Sequence, residues 1–131
     1  MPISIVGKLN PDLSRKGAIL GRFSQYLKTE FKDLSLADDI KGIIIEVVCL
    51  EPKFEPFFEL KPPQRSGEIF EFSVTLDYAE AKRLDDDEFV LYLKRALKSS
   101  LVIVEDNIGN GMKDFNEFSK QFGVAVDKFQ V

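Results

Sequence analysis

Asp85-Asp86-Asp87-Glu88 is the densest run of carboxylates in the chain, and the chemistry such a run can do is to hold a hard cation. A cation of that kind wants about six or more oxygens arranged around it in space. The D-x-[DN]-x-[DN]-G loop pattern that supplies them is missing, because no glycine follows. The run fits a helix start instead. Asp85 is placed as N-cap, Glu88 three residues on completes a capping box, and the acids between them suit the positive end of the helix dipole. Gly109-Asn110-Gly111-Met112-Lys113 raises the idea of a phosphate cradle. Neither the P-loop nor the dinucleotide pattern is there, and Asp114 stands where the latter needs its third glycine. A loop between helices is the better reading. Glycosidase-like carboxylate pairs carry no signal in a chain with 22 acidic residues, since many pairs arise by count alone.

The chain has no histidine, and its one cysteine is Cys49. Histidine is the side chain best suited to proton transfer near neutral pH and the commonest metal ligand. Its loss removes Ser-His and Cys-His nucleophile pairs, the usual zinc sites and most acid–base designs. Cys49, between Val48 and Leu50, reads as a small buried hydrophobe. The expectation is a non-enzymatic protein with no catalytic, cofactor-binding or metal-binding residue.

Charge points in the same direction. Residues 1–34 carry six basic and three acidic side chains, a net of +3, whereas residues 38–88 carry fourteen acidic and six basic ones, a net of −8. An acidic middle repels nucleic-acid phosphates and steers a basic partner. It also serves simply to keep a small domain in solution. The first residues lack a basic start and a long apolar stretch, and the apolar runs fall far short of the ~20 residues that span a bilayer. The reading is a single cytoplasmic domain over residues 1–131, without membrane or nucleic-acid contact.

The elements that must position any such surface follow from periodicity. Asn10, Pro11 and Asp12 are suited to a helix start, and Leu13, Gly17, Leu20, Phe23, Leu27, Phe31 and Leu34 recur at helical steps. Ile3 to Leu9 fits a short strand before that helix. Lys41 to Glu51 is β-branched and nearly continuous, as expected of a central strand. Phe57 to Leu60 makes a shorter strand between prolines. Gly67 to Tyr78 alternates strictly: Phe70, Phe72, Val74, Leu76 and Tyr78 face one way, and Ile69, Glu71, Ser73, Thr75 and Asp77 the other. Phe89, Val90, Leu93, Ala96, Leu97, Ser100, Leu101 and Val104 mark a second long helix, with 101–106 open between helix and strand. A short helix then carries Phe115, Phe118 and Phe122, with Gly123 placed to end it and Val124 to Val131 as edge strand or tail.

Alternation puts Glu46, Glu59 and Glu71 on the open side of the sheet as an acidic stripe, with Asp77 on the wet face of the same strand as Glu71. In Phe54-Glu55-Pro56-Phe57-Phe58, aromatics interleave with acid and proline. Phe57 is there either an exposed anchor for a partner or the half-exposed member of a cluster closing the core. Glu46, Glu59, Glu71, Asp77 and Phe57 are thus the candidate partner-binding residues.

The stretch from Gly67 through Leu101, an alternating strand followed by a D-D-D-E-capped apolar helix in a short acidic chain, resembles the small immunity proteins of bacterial polymorphic-toxin systems. These include the immunity proteins of contact-dependent growth inhibition. The resemblance implies a protein that neutralises a cognate toxin domain by binding it, the toxin usually being a basic nuclease or other toxic enzyme. Two other readings stay open beside it. One is a structural or adaptor domain that self-associates through a sheet edge; the other is a small-molecule-binding domain with a phenylalanine-lined pocket. The expected fold is α+β, an antiparallel sheet of about four strands with helices packed on one face. Its core should set Phe70, Phe72, Val74 and Leu76 against Leu20, Phe23, Leu27, Leu93 and Leu97.

Overall fold

Strand Ile3–Leu9 (β1) turns through a single 3₁₀ turn at Pro11–Leu13 into helix Ser14–Glu30 (α1), and the chain returns to the sheet as Gly42–Cys49 (β2). Gln64–Ser66 (β3) and Ile69–Thr75 (β4) follow as a hairpin, and three helices end the chain: Tyr78–Arg83 (α2), Asp86–Ile108 (α3) and Phe115–Lys128 (α4). The computed structural model describes residues 3–32, 42–52, 64–108 and 115–130. The expected strand at Phe57 to Leu60, the Gly109–Gly111 loop, Leu34 and Asp114 lie outside them.

The antiparallel sheet expected from the sequence is overturned. Among the described residues the three long strands are all parallel, in the order β1-β2-β4, and only the short β3 runs antiparallel on the outer side of β4. Parallel neighbours need a crossover of roughly a dozen residues or more, and the links from Leu9 to Gly42 and from Cys49 to Ile69 both exceed that. The clue lay in β2, which is buried at every position except the half-buried Ile44. Continuous burial is what a strand covered on both faces shows, as parallel strands commonly are. The β3–β4 hairpin closes through Gly67 and Glu68, with Gly67 at φ 61°, a left-handed backbone that favours glycine.

Register and burial explain the core. Ile3, Ile5, Ile43, Ile45, Val47, Phe70 and Phe72 share one sheet face and form one buried cluster with Leu20, Phe23 and Leu27 of α1 and Leu93 and Leu97 of α3. Val74 is half-buried at the margin. The strand read as Gly67 to Tyr78 stops at Thr75, since Asp77 caps α2 by accepting the Glu80 amide at 2.9 Å. The capping box of α3 forms as the spacing predicts: Glu88 N–H donates to Asp85 Oδ1 at 2.8 Å, and Asp85 N–H to Glu88 Oε1 at 3.2 Å. Residues 101–106 are helical.

Helix α4 corrects a further expectation. It runs through Gly123 to Lys128 instead of stopping there. Glycine inside a helix costs about 1 kcal/mol, but beyond it Val126 is wholly buried and Phe129 is 5% exposed. Burying side chains of that size contributes about 1.5–3 kcal/mol each, which decides the matter. Phe129 packs on Phe23 with ring centroids 4.2 Å apart, and the Tyr26 hydroxyl donates to the Ala125 carbonyl at 2.7 Å. Among the described residues no helix is long and apolar enough to cross a membrane.

Candidate interaction surface

The predicted acidic stripe is not an open one. Glu46 and Glu71 do share a sheet face, since Glu46 pairs in register with Ser73 and Ile44 with Glu71. Glu46, however, is only 7% exposed and accepts a hydrogen bond from the Ser73 hydroxyl at 3.3 Å. Glu71 is half-buried. The one-sided alternation of β4 does not extend to β2, which lies between two parallel neighbours. Asp77 is exposed but caps α2, away from the sheet face. Glu59 and Phe57 lie outside the described residues.

Another polar assembly forms where the parallel strands end. Carboxyl ends of parallel strands gather along one edge, the usual place for recognition in such sheets. Here that edge collects Asn10 and Asp12 after β1, Glu51 after β2, and Asp77 and Tyr78 after β4. Asn10, 5% exposed, holds it together. Its backbone N–H donates to the Cys49 carbonyl at 3.0 Å. Its side-chain amide donates to Asp12 Oδ1 at 3.0 Å and Glu51 Oε1 at 2.9 Å, and its Oδ1 accepts the Glu51 amide at 3.3 Å. The sequence reading made Asn10 a helix cap. Its side chain makes no cap bond and instead ties the ends of two strands together.

Asp12 is the hub. The Tyr78 hydroxyl donates to its Oδ2, and Lys82 Nζ lies 3.2 Å from the same oxygen and 5.6 Å from the centre of the Tyr78 ring. The Tyr78 hydrogen bond first, then that of Asn10, with Lys82 adding to both, hold the Asp12 carboxyl down at about 2. The Asp12 hydrogen bond, with burial second, pushes the Tyr78 hydroxyl upward, and Tyr78 and then Asp12 push Lys82 upward. Below the network, burial pushes the Cys49 thiol up to about 11, with Asp77 and Asp12 adding to it. A thiol held protonated and inaccessible is a packing group rather than a nucleophile.

The assembly extends along α2 and the start of α3. Arg15 Nε bonds Asp86 Oδ2 at 2.8 Å, and Arg83 pairs with Glu80. Asp12, Glu51, Asp77, Glu80 and Asp85 to Glu88 thus outnumber Arg15, Lys16, Lys82 and Arg83 along this edge. Sequence reasoning missed Asn10, Asp12, Tyr78 and Lys82 as a group because it took the sheet as antiparallel, which sends strand ends to opposite edges. The signal was present: a polar residue stands within two positions of the end of each of three apolar strands, Asn10 after β1, Glu51 after β2 and Asp77 after β4. Phe23, Phe70, Phe72, Phe89 and Phe122 are at most 2% exposed and fill the core rather than line a pocket. Among the described residues no group of three or more cysteine, aspartate or glutamate side chains is placed to hold a metal ion.

The model of the family described as immunity protein 44 matches residues 1–122, a span that takes in the whole sheet, α1 to α3 and the acidic edge. The chain belongs to the immunity protein 44 family. Comparisons with curated proteins and with solved structures yield no match. For this immunity protein, membership implies a cognate toxin as partner, and such families are generally non-enzymatic.

Proposed function

We propose that this immunity protein neutralises its cognate toxin by direct binding, and that the toxin domain presents a basic surface, as a nuclease does, to the acidic edge at the carboxyl ends of β1, β2 and β4. The observation that carries this reading is the excess of carboxylates there, fixed in place by the Asn10–Asp12–Tyr78–Lys82 network and the α3 capping box. Ordered charges of one sign steer a partner of the other sign and raise the association rate, and salt screens that effect over ~8–10 Å. Asp77 and Asp87 are the exposed carboxylates central to the reading, whereas the buried Glu46 contributes no contact. Cytoplasmic location and kinship with contact-dependent growth inhibition belong to the same proposal.

The test is the association rate with the cognate toxin domain at low and high salt. The rate should fall steeply with salt, and Asp87→Lys should lower it further with the thermal midpoint retained. Glu71→Lys serves as the arm for the sheet face and should leave the rate unchanged. An association indifferent to salt and to Asp87→Lys would overturn the reading, and a loss confined to Glu71→Lys would move the contact to the sheet face.

A further inference from the structure

We propose that the outer edge of β1 receives an extended, acidic segment of a partner polypeptide as an added strand. Two hydrogen bonds fix which backbone groups point outward. Asn10 N–H donates to the Cys49 carbonyl at 3.0 Å, so the even-numbered residues of β1 face β2; Ile5 N–H donates to Ser24 Oγ at 3.0 Å, away from β2. Peptide groups alternate sides along a strand, so those of Gly7 and Leu9 turn outward with that of Ile5. Among the described residues nothing hydrogen-bonds the outward amides of Gly7 and Leu9, and Gly7 is exposed. An edge that offers unpaired donors and acceptors is a template for a further strand.

Helix α1 leaves room for that strand. A groove of about 370 Å³ runs between the edge and the helix, lined by Gly7, Leu9, Leu13, Gly17, Leu20 and Gly21. A Cβ added at Gly21 meets nothing within 4 Å. Charge selects the occupant. Lys8, Arg22 and Lys28 are exposed along β1 and α1, and Lys16 is half-buried, whereas Asp12 on the same flank is engaged by Tyr78 and Lys82. An extended segment bearing carboxylates on alternate residues satisfies the backbone and sets its acids on the Lys8 face of the sheet, with its apolar residues toward the groove beside α1. A second copy of this chain would bring the same basic flank against itself.

The experiment needs no toxin, so its failure is separable from failure of the acidic-edge reading. The isotope-labelled full chain is titrated with a capped octapeptide alternating valine and glutamate. The amide signals of Gly7 and Leu9 should shift and their hydrogen exchange should slow, with Ser4, Val6 and Lys8 exchange unchanged. The same peptide N-methylated at alternate residues, and a valine–lysine peptide, should produce neither effect. Gly21→Gln, at a helical position with open space, should fold normally and abolish binding by filling the groove. Equal binding of the N-methylated peptide or of the Gly21→Gln chain would overturn the proposal. So would shifts confined to other residues, or a concentration-dependent dimer that itself protects Gly7 and Leu9.

Discussion

The two flanks of this sheet solve opposite problems. At the carboxyl edge the side chains are charged and mostly engaged with one another: Asn10 with Asp12 and Glu51, Asp12 with Tyr78 and Lys82, Arg15 with Asp86, and Asp85 with Glu88. Along the outer edge of β1 small and apolar side chains line the groove, Lys8 is exposed beside it, and the backbone amides of Gly7 and Leu9 face outward. Net charge is therefore a poor measure of what a region offers a partner. The acidic flank has the larger charge but holds much of it in caps and ion pairs, so what it presents is ordered. The basic flank has fewer charges, and among the described residues nothing pairs with the Gly7 and Leu9 amides between them.

If the flanks differ only at the surface, the core beneath them is common to both and both should be lost together. Phe72 is the place to test this, being 2% exposed on the core face of β4. Phe72→Ala should lower stability by about 3–5 kcal/mol, read from urea unfolding. Probes placed on α1 and on α3 should report one coincident transition. Thr75→Ala, at the exposed end of the same strand, should stay within ~0.5 kcal/mol. Separate transitions would divide the molecule into two units and break the comparison.

The next effect sharpens it. Asn10→Ala removes a buried amide that satisfies two carboxylates and the Glu51 amide. It should cost about 1–3 kcal/mol, since the groups it leaves behind lose their partner. Arg22→Ala on the basic flank removes an exposed charge and should fall within ~0.5 kcal/mol. Equal small losses would mean that the carboxyl edge is no better ordered than the opposite flank.

Local features were legible in the residues because they depend on near neighbours. The Asp85–Glu88 capping box, the buried stripe Leu20-Phe23-Leu27 and the inward face of Phe70 and Phe72 follow from spacing alone. What escaped depended on which strands become neighbours. Alternation in β4 fixes its faces but not the direction of the strand beside it, so the sheet was read antiparallel. From that followed the open acidic stripe with Glu46 in it, and the failure to bring Asn10, Glu51 and Asp77 to one edge. Gly123 was misread for a related reason. Its cost is local, whereas the burial that outweighs it arises far along the chain, where Phe129 packs on Phe23 of α1 and Val126 joins the shared core.

The smallest expected effect concerns how tightly the acidic flank is organised. Asp12 is surface-exposed, so its contribution to stability is screened by solvent. Its titration is nonetheless a direct reading of the network. The folded value of about 2 lies below the ordinary 3.8, because the charged carboxylate is the form that Tyr78, Asn10 and Lys82 stabilise. A depressed folded value means that this contribution is fully present above the unfolded value and is lost as pH falls through the folded one. The window is therefore between 3.8 and about 2, and near neutral pH the contribution is fully in place and does not vary with pH. Carboxyl NMR should find Asp12 titrating near about 2, and Tyr78→Phe, which removes the largest cause, should move it back toward 3.8. If Asp12 titrates at the ordinary value in the unaltered chain, the hub is not formed. The carboxylates of this edge would then be as loosely held as any solvated acids, and the contrast between the flanks would reduce to the sign of their charge.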